Sequence, residues 1–170
     1  LERRPGDAII LGRLCSLLRA SDPQKALDLC RRASAAEPSN LSHAVGYAAA
    51  LVQAKMFPAA IELLQRLKAF SPGNVTVRTN LATAYFQSKR YAEAKEEYQW
   101  ITERQPDLAP AYFLLAVTHD HLTEYVDALA NYQQFLRVAD AEKNKLEIEK
   151  VNRRLPSLHK QVKDKKGKGT

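Results

Sequence analysis

Leu81-Ala82-Thr83-Ala84-Tyr85, then Ala94-Lys95-Glu96-Glu97-Tyr98, then Pro106: this is the stretch on which the reading of the fold turns. Shifted by one period in either direction, it falls on residues of the same kind. Small side chains align at Ala48, Ala82 and Ala116, and again at Ala26, Ala60, Ala94 and Ala128. Large apolar ones align beside them: Tyr47, Leu81 and Leu115; Leu64, Tyr98 and Tyr132; Leu67, Ile101 and Phe135; Phe57, Tyr91 and Tyr125. Pro5, Pro38, Pro72 and Pro106 mark the period, at intervals of 33, 34 and 34 along the chain. Such a period describes one small unit copied along the chain, and it directs the search for function to a surface.

Within each unit the apolar residues stand three, four or seven apart, which places them on one stripe of a helix. Helices are expected near 7–20, 22–36, 41–54, 57–70, 75–88, 91–104, 109–122 and 125–138. Pro23 and Pro58 fall in the first turn of a helix, where the missing N–H costs nothing, and Pro38, Pro72 and Pro106 block continuation at the ends of units. The first unit runs one residue out of step in its first half: Leu14, Cys15 and Leu18 stand 33 before Tyr47, Ala48 and Leu51. A residue is therefore missing near the turn at Ser21.

This pattern resembles the tetratricopeptide repeat, a helix-turn-helix unit of about 34 residues. The resemblance covers four units, 7–40, 41–74, 75–108 and 109–142, with the end of another at 1–6. It implies an all-α, right-handed α-solenoid of stacked repeats. A capping helix is expected at 143–155, where Leu146, Ile148, Val151 and Leu155 form a partial apolar stripe, and a basic, disordered tail at 156–170. Two departures stand out. The family's usual tryptophan is replaced by Leu11, Ala44, Arg78 and Tyr112, and His119 stands in place of a tyrosine. Leu1 is not a methionine and opens in what reads as the last turn of a repeat, so a fragment of a longer array is expected.

The net charge of +7 is local. Residues 143–170 hold ten Lys and Arg against three Asp and Glu, so the repeats themselves are neutral. With 45% hydrophobic residues and no apolar run near the roughly 20 that a membrane helix needs, the chain reads as soluble, with no membrane insertion. The cytoplasm is preferred over the periplasm. Five lysines between Lys160 and Lys168 suit an anionic surface. No aromatic side chain is interleaved there for base stacking, so no specific nucleic-acid partner is expected.

Candidate chemistry is sparse. His119 and His121 are two apart on a helix and point away from each other, whereas a helical metal pair needs three or four; His119 reads as a packed residue, and no metal or cofactor is expected. Cys15 and Cys30 fall in core columns of the first unit, one on each helix. They are expected as buried free thiols behaving as small hydrophobes, the alternative being a disulfide, which needs Cα atoms within about 7 Å. Asn40-Leu41-Ser42 and Asn74-Val75-Thr76 fit an N-glycosylation pattern, but both occupy the N-cap position before a helix, and capping accounts for them. No arrangement of nucleophile and base is present, so an enzyme is not expected.

What the resemblance implies is a protein-interaction scaffold with a concave groove lined by the first helix of each unit. The groove residues are expected to be Val45, Ala49 and Val52, then Asn80, Thr83 and Phe86, then Phe113, Val117 and His121. The alternative for Phe86, Phe113 and Val117 is packing against neighbouring helices or the cap. Only Asn80 sits where relatives that grip a terminal carboxylate need a polar residue; Val45, Ala49 and Thr76 hold the other places, so apolar anchoring of a protein or peptide partner is expected. Two further roles fit the sequence: a recruiting or oligomerisation module of a larger enzyme or assembly, and contact with nucleic acid or membrane through the basic tail. An uncovered apolar end at Ile9, Ile10 and Leu14 would favour a stacked neighbour or a homodimer.

Overall fold

The computed structural model describes residues 5–167 and the side chains of 7–164, and among these every regular element is a helix. The order is α1 (Pro5–Leu18), α2 (Pro23–Ala36), α3 (Leu41–Gln53), α4 (Phe57–Phe70), α5 (Val75–Gln87), α6 (Tyr91–Arg104), α7 (Ala109–His121), α8 (Tyr125–Val138) and α9 (Lys145–Gly167). Eight of these lie within two residues of the expected boundaries. The expected end of a preceding repeat at 1–6 falls mostly outside the described residues.

Local chemistry sets the boundaries. Asn40 accepts from the N–H groups of Ser42 and His43, and Asn74 from that of Val77, so both asparagines cap helices. Asp22 does the same for α2 through the Lys25 N–H. Lys55, Lys89 and Thr123, one period apart, each have φ near +60°, the left-handed residue that ends the first helix of a unit. Nothing in the residue types announces this, since none is glycine. The first unit has no such residue. Its α1 stops at Leu18, two register positions short of Gln53, and the turn 19–22 carries the chain to Asp22. The one-residue deficit inferred near Ser21 is thus taken from the end of α1.

The chain forms two compact units, Leu1–Ser88 and Lys89–Thr170. In the first, α2 packs against α1 and α3, and α4 against α3 and α5. One of its cores gathers Cys15, Ala26, Leu29, Cys30 and Ala50, with Leu11, Leu18 and Tyr47 around them. In the second unit α7 packs on α6 and α8, and α9 on α8. Its core holds Ala116, Ala128, Tyr132, Phe135, Val151 and Leu158.

Two expectations are corrected. Cys15 and Cys30 are not free thiols but a disulfide, with Cα atoms 5.4 Å apart. The small residues around them bring α1 and α2 close enough for the bond to form. The cap does not end at Pro156 either: α9 continues through it to Gly167, while Lys168–Thr170 lie outside the described residues. Pro156 removes one N–H and crowds the carbonyl four residues back, a cost on the order of 3 kcal/mol. Beyond it, Leu158 extends the stripe of Ile148, Val151 and Leu155 and is fully buried, so packing holds the second half of the helix in place. Arg154 reinforces it, donating to Ser157 one turn on and to Gln161 two turns on.

The disulfide joins residues separated by 15 positions in sequence, a loop for which chain entropy gives about 3 kcal/mol of stabilisation. The Cys15→Ala/Cys30→Ala double variant should therefore lose about that much in urea unfolding; an unchanged midpoint would show that the bond does not constrain the first hairpin.

Candidate functional site

In the first unit a depression of about 530 Å³ opens between α1 and α3, with α2 as its floor. Small residues make the space: Gly12 and Ser16 on α1, Cys30 and Ala33 on α2, Ser42 and Gly46 on α3. Ile9 and Leu17 form an apolar wall, and Arg13 supplies the one permanent charge among its lining residues. At Gly12 a Cβ would come within 3.2 Å of the His43 ring, a tight contact that the ring would have to yield to. At Gly46 a Cβ would meet the Cys30 sulfur at 3.5 Å, an ordinary contact. The His43 side chain is almost wholly buried, its Nδ1 lying 3.4 Å from a Glu37 carboxylate oxygen without hydrogen-bond geometry. Asn40 donates to that same oxygen at 2.8 Å and holds the carboxylate in place. None of these lining residues belongs to the expected groove, which takes no residue from α1, although Gly12 and Ser16 stand 33 before Val45 and Ala49 and so fall in the same columns. The recurrent small residues at Gly12, Ser16, Ser42 and Gly46 were the available signal.

The expected groove residues divide between the units. In the first, Ala49 and Val52 are buried and Val45 is half-buried. Asn80 and Thr83 are half-buried, and each returns its side-chain donor to a carbonyl one turn back, at Thr76 and Thr79. Phe86 is half-buried as well. In the second unit, Phe113 lies 5.4 Å from the Phe135 ring and 6.4 Å from that of Tyr132, and Val117 packs into the same cluster. His121 is exposed and stacks on Tyr91 with ring centroids 4.3 Å apart.

His119 is buried, as a packed replacement for tyrosine requires, but it is not chemically idle. Its Nδ1 lies 2.6 Å from Glu124, and Lys95 reaches both oxygens of the same carboxylate at 2.8 and 3.1 Å. Sequence reasoning sets His119 beside His121, whereas the residues that converge on it are Glu124 and Asp127, their ligand-type atoms all within 4.8 Å. The Lys95 ammonium already occupies the electrostatic position that a cation would take, so the cluster reads as a structural ion pair across the turn between α7 and α8. A second pair ties α9 down: Arg154 grips both oxygens of Asp120 at 2.6 and 2.7 Å. Tyr132 donates to Asp120 at 3.4 Å, and burial together with that negative charge raises its phenol well above the ordinary range.

The Lys95 hydrogen bond, with a smaller contribution from His119, holds the Glu124 carboxyl below its ordinary value. A depressed acid stabilises the fold above its unfolded pKa, about 4.3, and that contribution is lost as pH falls through the folded value. Glu124→Gln should therefore cost up to about 1 kcal/mol at neutral pH, given its partial exposure. The difference from the parent should shrink toward zero below about pH 4. Thermal melts across that range check it; a gap that persists undiminished in acid would contradict the assignment.

Two tetratricopeptide-repeat family models match the chain, over residues 17–71 and 79–143. Solved structures of similar fold include TTC0263, a thermophilic protein of Thermus thermophilus, at 20% identity and a TM-score of 0.75, covering 92% of this chain and 89% of that one. MamA from Desulfovibrio magneticus RS-1 matches at 13% identity and a TM-score of 0.72, covering 93% and 96%. MamA of AMB-1 matches at 21% identity and a TM-score of 0.69, covering 94% and 95%. At these identities the likeness is one of fold. No curated protein matches the chain. No helix among the described residues is long and apolar enough to cross a membrane. The repeat register, the alternation of packed helices and the matched models lead to one assignment: the chain is an all-α helical-repeat protein of the tetratricopeptide-repeat family.

Proposed function

We propose that this chain is a non-catalytic interaction scaffold that holds an extended segment of a protein partner against the first helices of the repeats in its first unit, α1, α3 and α5. The observation that carries this reading is the depression between α1 and α3, about 530 Å³ in size and lined by small and apolar side chains. A single bulky apolar side chain of a partner fits such a recess, with the partner backbone running across α1 and α3. Val45, Asn80, Thr83 and Phe86 continue the contact surface along α3 and α5. On the second unit, taken by itself, Phe113 and Val117 shape the surface more than they offer free side chains, because both pack into its core. His121 offers an exposed ring there, backed by Tyr91. The buried Cys15–Cys30 bond at the floor of the recess supports work in an oxidising compartment, against the cytoplasmic preference of the sequence reading.

Peptides selected from a random display library against the intact chain provide the test. Ser16 is exposed and lines the recess, so Ser16→Trp puts a bulky ring into its mouth without disturbing the core. Selected peptides should share an apolar anchor, and Ser16→Trp should weaken them at least about tenfold, equivalent to about 1.4 kcal/mol. Phe86→Ala should weaken the longer ones further. Peptides that bind the parent and both variants equally would place the partner site elsewhere.

A further inference from the structure

The two sulfurs of the Cys15–Cys30 bond do not stand in equivalent places. Cys15 is wholly buried in the core with Ala26, Leu29 and Ala50, and it is not among the residues that line the recess. Cys30 is part of the recess floor, with 2% of its surface exposed. Gly46, which also lines the recess, keeps the space over that sulfur clear, since a Cβ there would sit 3.5 Å from it. The Cys30 sulfur therefore has Cys15 of α1 on one side and the bare backbone of α3 on the other.

A disulfide is broken or made when a thiolate attacks one sulfur and the other leaves, and the rate depends on access to the sulfur attacked. Only Cys30 offers that access. The lining suits an anion as well, because Arg13 is the one permanent charge there and no carboxylate stands among the lining residues. The small side chains that make room for a partner's anchor thus also make room for a small thiol.

We propose that the recess is the entry by which low-molecular-weight thiols exchange with the Cys15–Cys30 bond, and that Cys30 is the residue they modify. A thiolate entering over Gly46 bonds to the Cys30 sulfur as the protein's own sulfur–sulfur bond breaks. The electron pair of that bond leaves with the Cys15 sulfur, which takes up a proton. A second thiol then displaces the first from Cys30 and departs with it as a small disulfide, so two thiols are oxidised for the one bond reduced. Run in reverse, the same steps let a small disulfide close the bond in the folded chain, Cys15 expelling the small thiol from Cys30. On the scaffold reading above, a partner side chain seated in the recess covers Cys30 and shuts this route.

Reduction of the intact, folded chain by 2-mercaptoethanesulfonate and by cysteamine, thiols of similar size and opposite charge, tests the proposal. Rates are compared per thiolate, with iodoacetamide trapping the freed cysteine and mass spectrometry locating the mixed disulfide. That adduct should lie on Cys30, and the anionic thiol should react about fivefold faster, a preference that Arg13→Gln removes. Ser16→Trp at the mouth should slow both thiols about tenfold, and urea below the unfolding transition should leave the rates of the parent unchanged. An adduct on Cys15, or rates that climb with urea as unfolding does and ignore Ser16→Trp, overturns the proposal. A selected peptide whose binding depends on Ser16 should protect the bond. Such a peptide, bound yet without effect on reduction, overturns the entry route and leaves the scaffold reading intact; failure to select one removes that reading alone, and the position of the adduct still decides the exchange.

Discussion

Close approach of helices at a column of small side chains is the constraint on which the rest of the structure depends. Ala26, Ala60, Ala94 and Ala128 are all fully buried, as are Ala48, Ala82 and Ala116. At those places two helices meet with almost nothing between the backbones, and the large apolar residues beside them, such as Leu64, Tyr98 and Phe135, fill the space on either side. A crossing so close turns the pair of helices into a fixed unit, and a fixed unit repeated at a constant interval presents its remaining side chains at regular places. The recess between α1 and α3 is that same rule carried further. Gly12, Gly46, Ser16 and Ser42 are small where no helix fills the gap, so the missing volume is left open.

Electrostatics has a different task here. Lys95, His119 and Glu124 join α6, α7 and the start of α8, and Arg154 with Asp120 fixes α9 against α7. Both sets are partly screened, and neither lines the recess. Their work is to secure elements whose apolar contacts are limited, above all α9, whose helix must run through Pro156. The clusters that look most like chemistry in this chain therefore act as fasteners.

Periodicity made the helices, their boundaries and the small-residue columns legible in the sequence, because side-chain volume at a crossing is written directly in residue type. Three features were not. The left-handed turns at Lys55, Lys89 and Thr123 use residues that carry no mark of that conformation. The Cys15–Cys30 bond depends on a Cα separation that the register shift of the first unit leaves undetermined. The continuation of α9 past Pro156 is decided by the burial of Leu158, a tertiary contact that outweighs a strong local signal. The recess escapes the sequence for a related reason: Gly12 and Ser16 stand in the columns of Val45 and Ala49, but whether the space above small side chains is filled by a neighbour is decided by packing.

The small-residue constraint is tested most directly by comparing Ala128→Leu with Ala130→Leu in urea unfolding. Both lie on α8, the first fully buried at the crossing and the second exposed. Leucine and alanine differ little in helix propensity, so any large difference between the variants reports on space at the crossing. The account predicts a loss of about 2–3 kcal/mol for Ala128→Leu and under about 0.5 kcal/mol for Ala130→Leu. Equal stability of the two variants would contradict it.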